Sequence, residues 1–256
     1  MSAQHPALQV LLGDTLCEAR HRVCRLPLPE GDWTKLSVAD ALAVQRRQAG
    51  HFGWFPDGHP PAWKLGGAPA NGPSTAPVPG DAVFTDSPWQ CPPAFAVAFG
   101  IEAEIAVRLA RDLPAGADAA AVWQAIDCFF PCIELCDTRI ASAAPLSAAL
   151  QLADQQSNRA LILGPAIRFA TAPDWSTLMV RVECGGRVVH ESAGGHPFCD
   201  PLTSLPWLAG HAAAQYDGLR AGDIIATGTW SGIHWAQPGE AVGVSLAGIG
   251  RVELQL

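Results

Sequence analysis

The stretch Gly100-Ile101-Glu102-Ala103-Glu104-Ile105-Ala106-Val107-Arg108-Leu109 alternates apolar residues with others, which is the period-2 pattern of a β-strand. Side chains two residues apart on a strand lie on the same face, about 6.5 Å apart along it. Glu102 and Glu104 can therefore converge on one hard cation, which prefers oxygen ligands. Paired glutamates are also common on the solvated face of an antiparallel sheet, so their spacing alone leaves both interpretations open.

A second predicted strand supplies a third carboxylate. In Cys132-Ile133-Glu134-Leu135-Cys136-Asp137, Glu134 is again the polar residue between apolar neighbours. If the two strands pair, the three carboxylates form a candidate site for a divalent cation. Three carboxylate ligands leave coordination positions open for water or for a substrate, unlike a closed structural site.

Two segments resemble one known family. Ile101 to Ala106, followed by Arg111-Asp112-Leu113-Pro114, resembles the metal-binding strand of the 2-keto-4-pentenoate hydratase and 4-oxalocrotonate decarboxylase family, within the fumarylacetoacetate hydrolase superfamily. The segment from Ala221 to Gly250 resembles the closing part of that superfamily. The resemblance implies an α+β fold, a mixed and largely antiparallel β-roll with peripheral helices. It also implies that Glu102, Glu104 and Glu134 bind Mg²⁺ or Mn²⁺, and that the protein is a homo-oligomer.

Composition narrows the class of protein. The net charge of −8 argues against nucleic-acid and anionic-membrane partners, because both require a basic face. No run approaches 18 consecutive apolar residues and no signal-type segment opens the chain, so we expect a cytoplasmic protein. The 256 residues are expected to form one catalytic domain, with residues 1–50 as a helical segment packed on it.

The eight cysteines include no Cys-x-x-Cys pair and are expected to be reduced thiols. Cys128, Cys132 and Cys136 recur every four residues, which would form a soft-metal face on a helix. Pro131 interrupts such a helix and argues against a zinc site.

Local patterns predict the surrounding elements. Helices are expected over residues 6–22, from Ser37 to about Gly50, over Ala119–Phe130 and from about Pro201 to Tyr216. Ser37 and Asp40 form a capping-box pattern, and Gln45, Arg46 and Arg47 are expected on the solvated face of that helix. A hairpin is expected around Gly185-Gly186. Residues 66–93, rich in Gly, Pro, Ala and Ser, are interpreted as a long lid loop.

Lys64 lies in the short apolar run Ala62-Trp63-Lys64-Leu65-Gly66. A lysine there either extends to the surface or has a buried partner. The run resembles the family's Gly-x-Lys-x-Gly strand, whose lysine lies in the active site, although Ala62 replaces the first glycine. The family's Pro-Asp-x-Gly motif, with an aspartate near the substrate, corresponds here to Val78-Pro79-Gly80-Asp81. Asp81 either takes that role from a shifted position or the role is lost.

Four further residues are candidate site residues by resemblance. Asp154 and Ser157 lie in a string similar to the family's Asp-Asn-Ala-Ser, with Gln155 in place of asparagine. Ser157 would bind a substrate carboxylate or position water, and Asp154 would contact substrate. His196, in a Gly-His-Pro sequence, would either bind substrate or hold a turn. Thr227 would line the pocket, or it simply belongs to a glycine-assisted strand turn.

The resemblance implies a hydro-lyase that adds water to a 2-hydroxy-2,4-dienoate and forms a 4-hydroxy-2-oxo acid. Such a small 2-oxo or 2-enol carboxylate would chelate the cation through its carboxylate and C2 oxygens. Our hypothesis is that Lys64, with a lowered pKa, polarises the substrate or transfers a proton, and that Ser157 assists.

Three alternatives remain open at this stage. A bound cation that accepts electron density from the substrate would serve equally well in a 4-oxalocrotonate-type decarboxylase and in a C–C bond hydrolase. A hydrolase needs a histidine base, for which His51 and His59 are scattered candidates. The changes at Asp81 and Gln155 also allow a noncatalytic small-molecule-binding relative. Trp63, Trp230 and Trp235 are either pocket wall or core.

Overall fold

Helices and β-sheets form the part of the chain that the computed structural model describes, residues 5–256. The helices are α1 (Pro6–Arg22), α2 (Val38–Phe52), α3 (Ala119–Ala125), α4 (Ala148–Ala153) and α5 (Leu205–Gln215). The strands are β1 (Leu26–Pro27), β2 (Ala62–Ala68), β3 (Gly72–Val78), β4 (Val83–Phe84), β5 (Trp89–Gln90), β6 (Phe99–Leu109), β7 (Ile126–Cys136), β8 (Ile140–Ala141), β9 (Asn158–Leu163), β10 (Met179–Cys184), β11 (Arg187–Ala193), β12 (Ile224–Thr229), β13 (His234–Ala236), β14 (Ala241–Leu246) and β15 (Gly250–Gln255). Among residues 5–256, every helix is too short or too polar to span a bilayer.

The largest sheet carries the candidate site at its centre. Its strand order is β3-β2-β12-β6-β7-β9-β4, and β13 also pairs with β6. A second sheet has the order β11-β10-β14-β15-β5, and apolar side chains of both sheets share one core. Most neighbouring strands are antiparallel, whereas β2 and β12 are parallel. The predicted α+β class, a mixed and largely antiparallel roll with peripheral helices, is confirmed.

The predicted capping box begins α2. The Ser37 hydroxyl accepts a hydrogen bond from the Asp40 backbone N–H at 3.1 Å, and Asp40 Oδ2 accepts one from the Ser37 N–H at 3.1 Å. Two of the donors that a helix N-terminus leaves unpaired are thereby satisfied. Helix α1, the Gly185-Gly186 hairpin and α5 are also confirmed within the expected ranges.

Replacing Ser37 with Ala should lower the free energy of unfolding by about 0.5–2 kcal/mol, because the Asp40 N–H loses its acceptor. Urea denaturation followed by circular dichroism measures the change. The Ser37→Asn variant, which retains a capping oxygen, is the control and should keep most of the stability. Equal stability of the Ala variant and the native chain would contradict the role of this cap.

The prediction of one helix over Ala119–Phe130 is wrong in its second half. Helix α3 ends at Ala125, and strand β7 begins at Ile126 and runs through Pro131. Phe129 packs in the core between the sheets, while Phe130 points into a separate cluster on the other face. The sequence of a strand that is buried on both faces is a continuous apolar run. Periodicity alone does not distinguish such a run from a buried helix.

The interpretation of residues 66–93 as a long lid loop is also wrong. Strands β3, β4 and β5 occupy much of this segment, and β3 pairs with β2 along its whole length. Because β3 is an edge strand, it accommodates Pro73 and Pro77, which cannot donate to a sheet ladder.

One side of α2 differs from the expected amphipathic pattern. Gln45, expected in solvent, is buried and donates to the Leu152 carbonyl at 2.7 Å. Gln48 donates to the Ala153 carbonyl at 2.8 Å. These bonds attach α4, and the turn that follows it, to α2. Val38, an apolar residue, is exposed at the start of the helix.

Candidate metal centre and active-site cavity

The antiparallel pairing of β6 and β7 brings two of the predicted ligands together. Glu102 lies directly opposite Glu134 in this register. A third group, Cys136, donates its thiol to Glu102 Oε2 at 3.7 Å. Potential ligand atoms of Glu102, Glu134 and Cys136 all lie within 4.8 Å of one another. Sequence analysis did not single out Cys136 as a site residue, although its position two residues after Glu134 places both on one face of β7.

Backbone and amide donors orient the two fully buried carboxylates. Asn158 Nδ2 donates to Glu134 Oε1 at 2.9 Å, and the Gly228 N–H donates to Glu104 Oε2 at 2.9 Å. Glu104 Oε1 is buried and, among the described residues, accepts no hydrogen bond, whereas the buried Glu134 Oε2 has Lys64 Nζ 3.2 Å away as an ion-pair partner. A buried carboxylate oxygen is costly without a partner, so Glu104 Oε1 is arranged for a ligand that the described residues do not supply.

Burial and the neighbouring negative charges raise the pKa values of Glu102 and Glu104. Burial and then the charge of Glu134 raise the pKa of Glu102 to about 7. Burial, followed by the charges of Glu134 and Glu102, raises the pKa of Glu104 well above its ordinary value. A divalent cation would offset both effects, since it replaces the lost solvation and screens the repulsion. The residues therefore fit a hard divalent cation.

Lys64 is the cation of the site. It extends from β2, is 5% exposed, and places Nζ 3.2 Å from Glu134 Oε2. Nζ also donates to the Gln156 carbonyl at 3.4 Å. Burial lowers the pKa of Lys64, but the charges of Glu134 and Glu102 raise it more, so the net pKa lies above its ordinary value. The hypothesis that the pocket lowers this pKa is wrong for this arrangement, because the acidic neighbours outweigh desolvation.

A strained turn between α4 and β9 carries Gln156 and Ser157. Gln155, Gln156 and Ser157 have positive φ angles of 52°, 51° and 63°. Consecutive non-glycine residues in this region are costly and persist where surrounding contacts fix them, often at functional sites. The turn directs the Gln156 carbonyl at Lys64 and places Ser157 in the cavity lining. Sequence analysis anticipated Ser157 but not Gln156.

Asp154 is placed below the cavity and does not line it. It is 1% exposed and forms an ion pair with Arg139 Nε, and it also accepts from the Arg139 backbone N–H at 3.1 Å. The Arg139 guanidinium donates to the Asp154 and Asn158 carbonyls as well. The pair therefore holds both ends of the strained turn, a positioning role where direct substrate contact was expected.

Replacing Asp154 with Asn should lower the free energy of unfolding by about 3–5 kcal/mol, because it leaves the Arg139 charge buried without its partner. Thermal and urea denaturation measure the loss. The exposed pair of Arg181 and Glu191 provides a control, since Glu191→Gln should cost less than about 1 kcal/mol. A stable Asp154→Asn protein that fails only in substrate binding would instead indicate direct contact.

His196 and Thr227 line the cavity, but their polar side-chain atoms are committed to the backbone. Thr227 Oγ1 donates to the Ile105 carbonyl at 2.8 Å. His196 Nε2 lies 3.0 Å from the Thr227 carbonyl, and Nδ1 accepts from the Phe198 N–H at 3.3 Å. Of the two roles considered for His196, the geometry favours holding the turn. A Cβ at Gly228, whose φ is +112°, would lie 3.2 Å from His196 Nε2, so the close approach favours glycine.

Asp81 lies outside the cavity. It is exposed in a short turn at Gly80–Ala82 and faces a separate depression that also contains Asp57 and His59. The structure therefore does not bring Asp81 to the other site residues.

The cavity beside the carboxylates has a volume of about 740 Å³. Lys64, Glu102 and Glu104 mark its inner end, while Glu134 lies behind them, fully buried. Trp63 and Trp230 belong to the core, whereas Trp235 is half exposed and lines the cavity. Of the three tryptophans, two are thus core residues and only Trp235 forms part of the cavity wall.

Comparison with known proteins assigns the fold to a family. The family model described as fumarylacetoacetate (FAA) hydrolase C-terminal matches residues 67–256. The chain belongs to the FAA hydrolase family. The curated proteins that it resembles include hydratases and a decarboxylase.

Curated FAA hydrolase relatives match part of the chain. The 4-oxalocrotonate decarboxylase of Pseudomonas putida is 31% identical over 153 residues, which are 59% of this chain and 58% of that protein. The 2-keto-4-pentenoate hydratase of Paraburkholderia xenovorans (strain LB400) is 28% identical over 156 residues, 60% and 58% of the two chains. The match thus spans less than two thirds of the length of either relative.

Solved structures share the fold over three quarters or more of the chain. The 4-oxalocrotonate decarboxylase from Pseudomonas putida G7, complexed with magnesium and adipate, has a TM-score of 0.83 at 25% identity and covers 99% of this chain and 98% of that one. The fumarylpyruvate hydrolase from Pseudomonas aeruginosa, in complex with Mn²⁺ and pyruvate, has a TM-score of 0.54 at 13% identity over 76% of this chain and 88% of that one. Structural neighbours therefore include complexes with divalent cations and small carboxylates.

Proposed function

We propose that this protein is a divalent-metal-dependent hydro-lyase that hydrates a 2-hydroxy-2,4-dienoate of the 2-keto-4-pentenoate type. The observation that carries the proposal is the buried, unpartnered Oε1 of Glu104 beside the Lys64–Glu134 ion pair, at a large cavity that Lys64, Glu102 and Glu104 line. Charge of this kind at the base of a concave pocket is typical of an active site.

Glu102, Glu104 and Glu134 would hold Mg²⁺ or Mn²⁺, since carboxylate oxygens suit both ions. When bound, the ion supplies a Lewis acid that stabilises negative charge on the C2 oxygen of the substrate. Asn158 and the Gly228 N–H keep the carboxylates of Glu134 and Glu104 in fixed orientations, which is what ligand partners commonly contribute.

The reaction requires two proton movements and one water. The enol of 2-hydroxypenta-2,4-dienoate loses its O–H proton and gains a proton at C5, which gives a conjugated 2-oxo acid with a double bond between C3 and C4. Water then adds its oxygen at C4 and a proton at C3, and the product is 4-hydroxy-2-oxopentanoate. Lys64, held as an ammonium by Glu134 and the Gln156 carbonyl, donates a hydrogen bond to the substrate oxygen and so polarises it, while the enol proton leaves to water. Ser157 positions the attacking water.

A 4-oxalocrotonate-type decarboxylase is the second candidate, because the neighbour that covers nearly the whole chain is such an enzyme bound to a dicarboxylate. The cavity gives this candidate less support. A dicarboxylate substrate has a second carboxylate, and Arg or Lys is the usual partner for such a group. Among the described residues, Lys64 is the single Lys or Arg that lines the cavity, and it already pairs with Glu134.

The positions of His51 and His59 give less support to a C–C bond hydrolase than to a hydratase. His59 pairs with Asp223 at 2.8 Å and faces the depression near Asp81, outside the main cavity. His51 lies near the end of α2 and is exposed. Neither is placed to act as a base on a substrate bound at Glu102.

The test is to mix the protein with 2-hydroxypenta-2,4-dienoate in the presence and absence of Mg²⁺ or Mn²⁺, while following the ultraviolet absorbance of the dienol and the product mass. Metal-dependent gain of one water supports the hydratase. Loss of CO₂ from 4-oxalocrotonate, without hydration of the dienoate, would replace it with the decarboxylase. Metal binding without turnover of either acid would favour a noncatalytic relative. Self-association stays a prediction, which sedimentation velocity tests.

A further inference from the structure

We infer that the outer part of the cavity is a subsite for an apolar, preferably aromatic, substituent at the end of the substrate chain distant from its carboxylate. The inference rests on the proposed function and specifies the substrate class of the same site. We call this region the outer subsite and define it by Val38, Phe198, Trp207, Ile233 and Trp235, which all line the cavity.

Exposed apolar side chains from distant parts of the sequence gather at this subsite. Val38 at the start of α2 is 59% exposed, Trp207 on α5 is 38% exposed, and Ile233 and Trp235 are 39% and 50% exposed. Single exposed apolar residues are normal on protein surfaces, but four that line one cavity indicate a binding surface. The tryptophans also offer flat faces on which an aromatic ring can stack.

The size of the cavity exceeds what a five-carbon acid requires. A volume of about 740 Å³ lies within the roughly 300–1,000 Å³ range of pockets that enclose drug-sized ligands. The charged groups Lys64, Glu102 and Glu104 occupy only the inner end, where the carboxylate and C2 oxygen would bind. The remaining space is thus available to a substituent carried further along the substrate.

The outer subsite offers no positively charged side chain to the second carboxylate of a dicarboxylate substrate. Among the described residues, its lining contains no Lys or Arg. His211, which also lines the cavity, stacks on Trp207 with ring centroids 5.2 Å apart. Burial lowers the pKa of His211 below its ordinary value, so its ring is neutral at neutral pH. An apolar substituent would bury its surface here, whereas a carboxylate would lose hydration without a cationic partner.

One wall of the cavity runs from Glu104 at the inner end to the outer subsite. Gly228 holds Glu104 through its N–H, and its neighbour Thr227 accepts the hydrogen bond of His196. The His196 ring lies 6.2 Å from that of Phe198, which belongs to the outer subsite. A substrate anchored at Glu104 would therefore extend past His196 towards the apolar side chains.

Calorimetry with stable 2-oxo acids tests the inference without requiring turnover. The probes, each titrated into Mg²⁺-loaded protein, are 2-oxobutanoate, 2-oxo-4-phenylbutanoate and 2-oxoadipate. They share the chelating group and differ in having no tail, an aromatic tail or a carboxylate tail. We expect 2-oxo-4-phenylbutanoate to bind at least about tenfold more tightly than 2-oxobutanoate, and 2-oxoadipate to gain no affinity.

Two variants test whether the preference for the phenyl compound depends on the outer subsite. Trp207→Ala and Trp235→Ala should each remove most of the advantage of the phenyl compound, while affinities for Mg²⁺ and 2-oxobutanoate stay unchanged. Val188→Ala, at an exposed apolar residue on β11 outside the cavity, is the matched control. Sedimentation velocity on the same proteins reports whether the tryptophans instead bind a second copy of the chain.

The outcomes separate the subsite from the function. If all three acids bind equally, or if 2-oxoadipate binds most tightly, the apolar subsite is wrong while the metal site stands. If the tryptophan variants change the oligomeric state and leave the phenyl preference intact, the surface is an interface and the inference is overturned. If none of the acids binds in the presence of Mg²⁺, the proposed function fails, and the subsite fails with it.

Discussion

The Glu134→Gln variant is expected to lose divalent-cation affinity by more than the roughly 10- to 100-fold that loss of an outer partner of a metal ligand costs. The substitution keeps the shape of the side chain and removes one of three negative charges. It also replaces the carboxylate that lies opposite Glu102 and pairs with Lys64 by an uncharged amide. Isothermal calorimetry with Mg²⁺ and Mn²⁺ measures the change directly.

Two further variants provide reference values for this loss of cation affinity. Asn158→Ala removes the donor to Glu134 Oε1 and should weaken cation binding by about 10- to 100-fold, because it loosens the carboxylate without removing its charge. Glu191→Gln removes an exposed carboxylate in another sheet and should leave affinity unchanged. Native-like cation affinity in Glu134→Gln would show that β7 does not contribute a ligand.

The Lys64→Met variant is expected to lose about 10²- to 10⁴-fold in kcat on the dienol substrate, the range associated with a positioned proton donor. Methionine keeps an unbranched side chain of similar length and lacks the ammonium. Its removal takes a positive charge away from Glu134, so cation binding should be unchanged or tighter. This opposite response of kcat and metal affinity distinguishes Lys64 from a residue that only maintains the fold.

Steady-state kinetics on the metal-saturated variant, together with calorimetry, provides both readouts. Lys64→Arg retains the positive charge in a larger planar group and is the companion variant, expected to keep the cation affinity of the native chain and only part of the turnover. A Lys64→Met protein with native kcat would exclude any role of Lys64 in proton transfer or polarisation.

The centre of the fold was predictable because it depends on local alternation. The period-2 patterns of β6 and of the end of β7 placed Glu102 and Glu134 on strands, and the structure pairs them in register. The start of β7 was not predictable in the same way. Both faces of Phe129 and Phe130 are buried, so the alternation of solvent and core that marks most strands is lost there.

The environment of the site residues depended on contacts that sequence does not display. Asp154 appeared in a polar string typical of a loop, yet its partner Arg139 precedes it by 15 residues and the pair is buried. The direction of the Lys64 pKa shift depends on Glu134, a residue of another strand, and on the balance between burial and charge. Gln156 and Asn158 act through a strained turn for which no sequence signal was recognised.

The central claim is that β6 and β7 together form a three-carboxylate site for a divalent cation at the inner end of the cavity. The most direct measurement is a crystal structure of the protein soaked in MnCl₂, with anomalous difference maps calculated from data above and below the manganese edge. We expect one strong peak with a carboxylate oxygen from each of Glu102, Glu104 and Glu134 in its coordination sphere. A peak elsewhere, or none among these carboxylates in crystals that bind manganese, would contradict it.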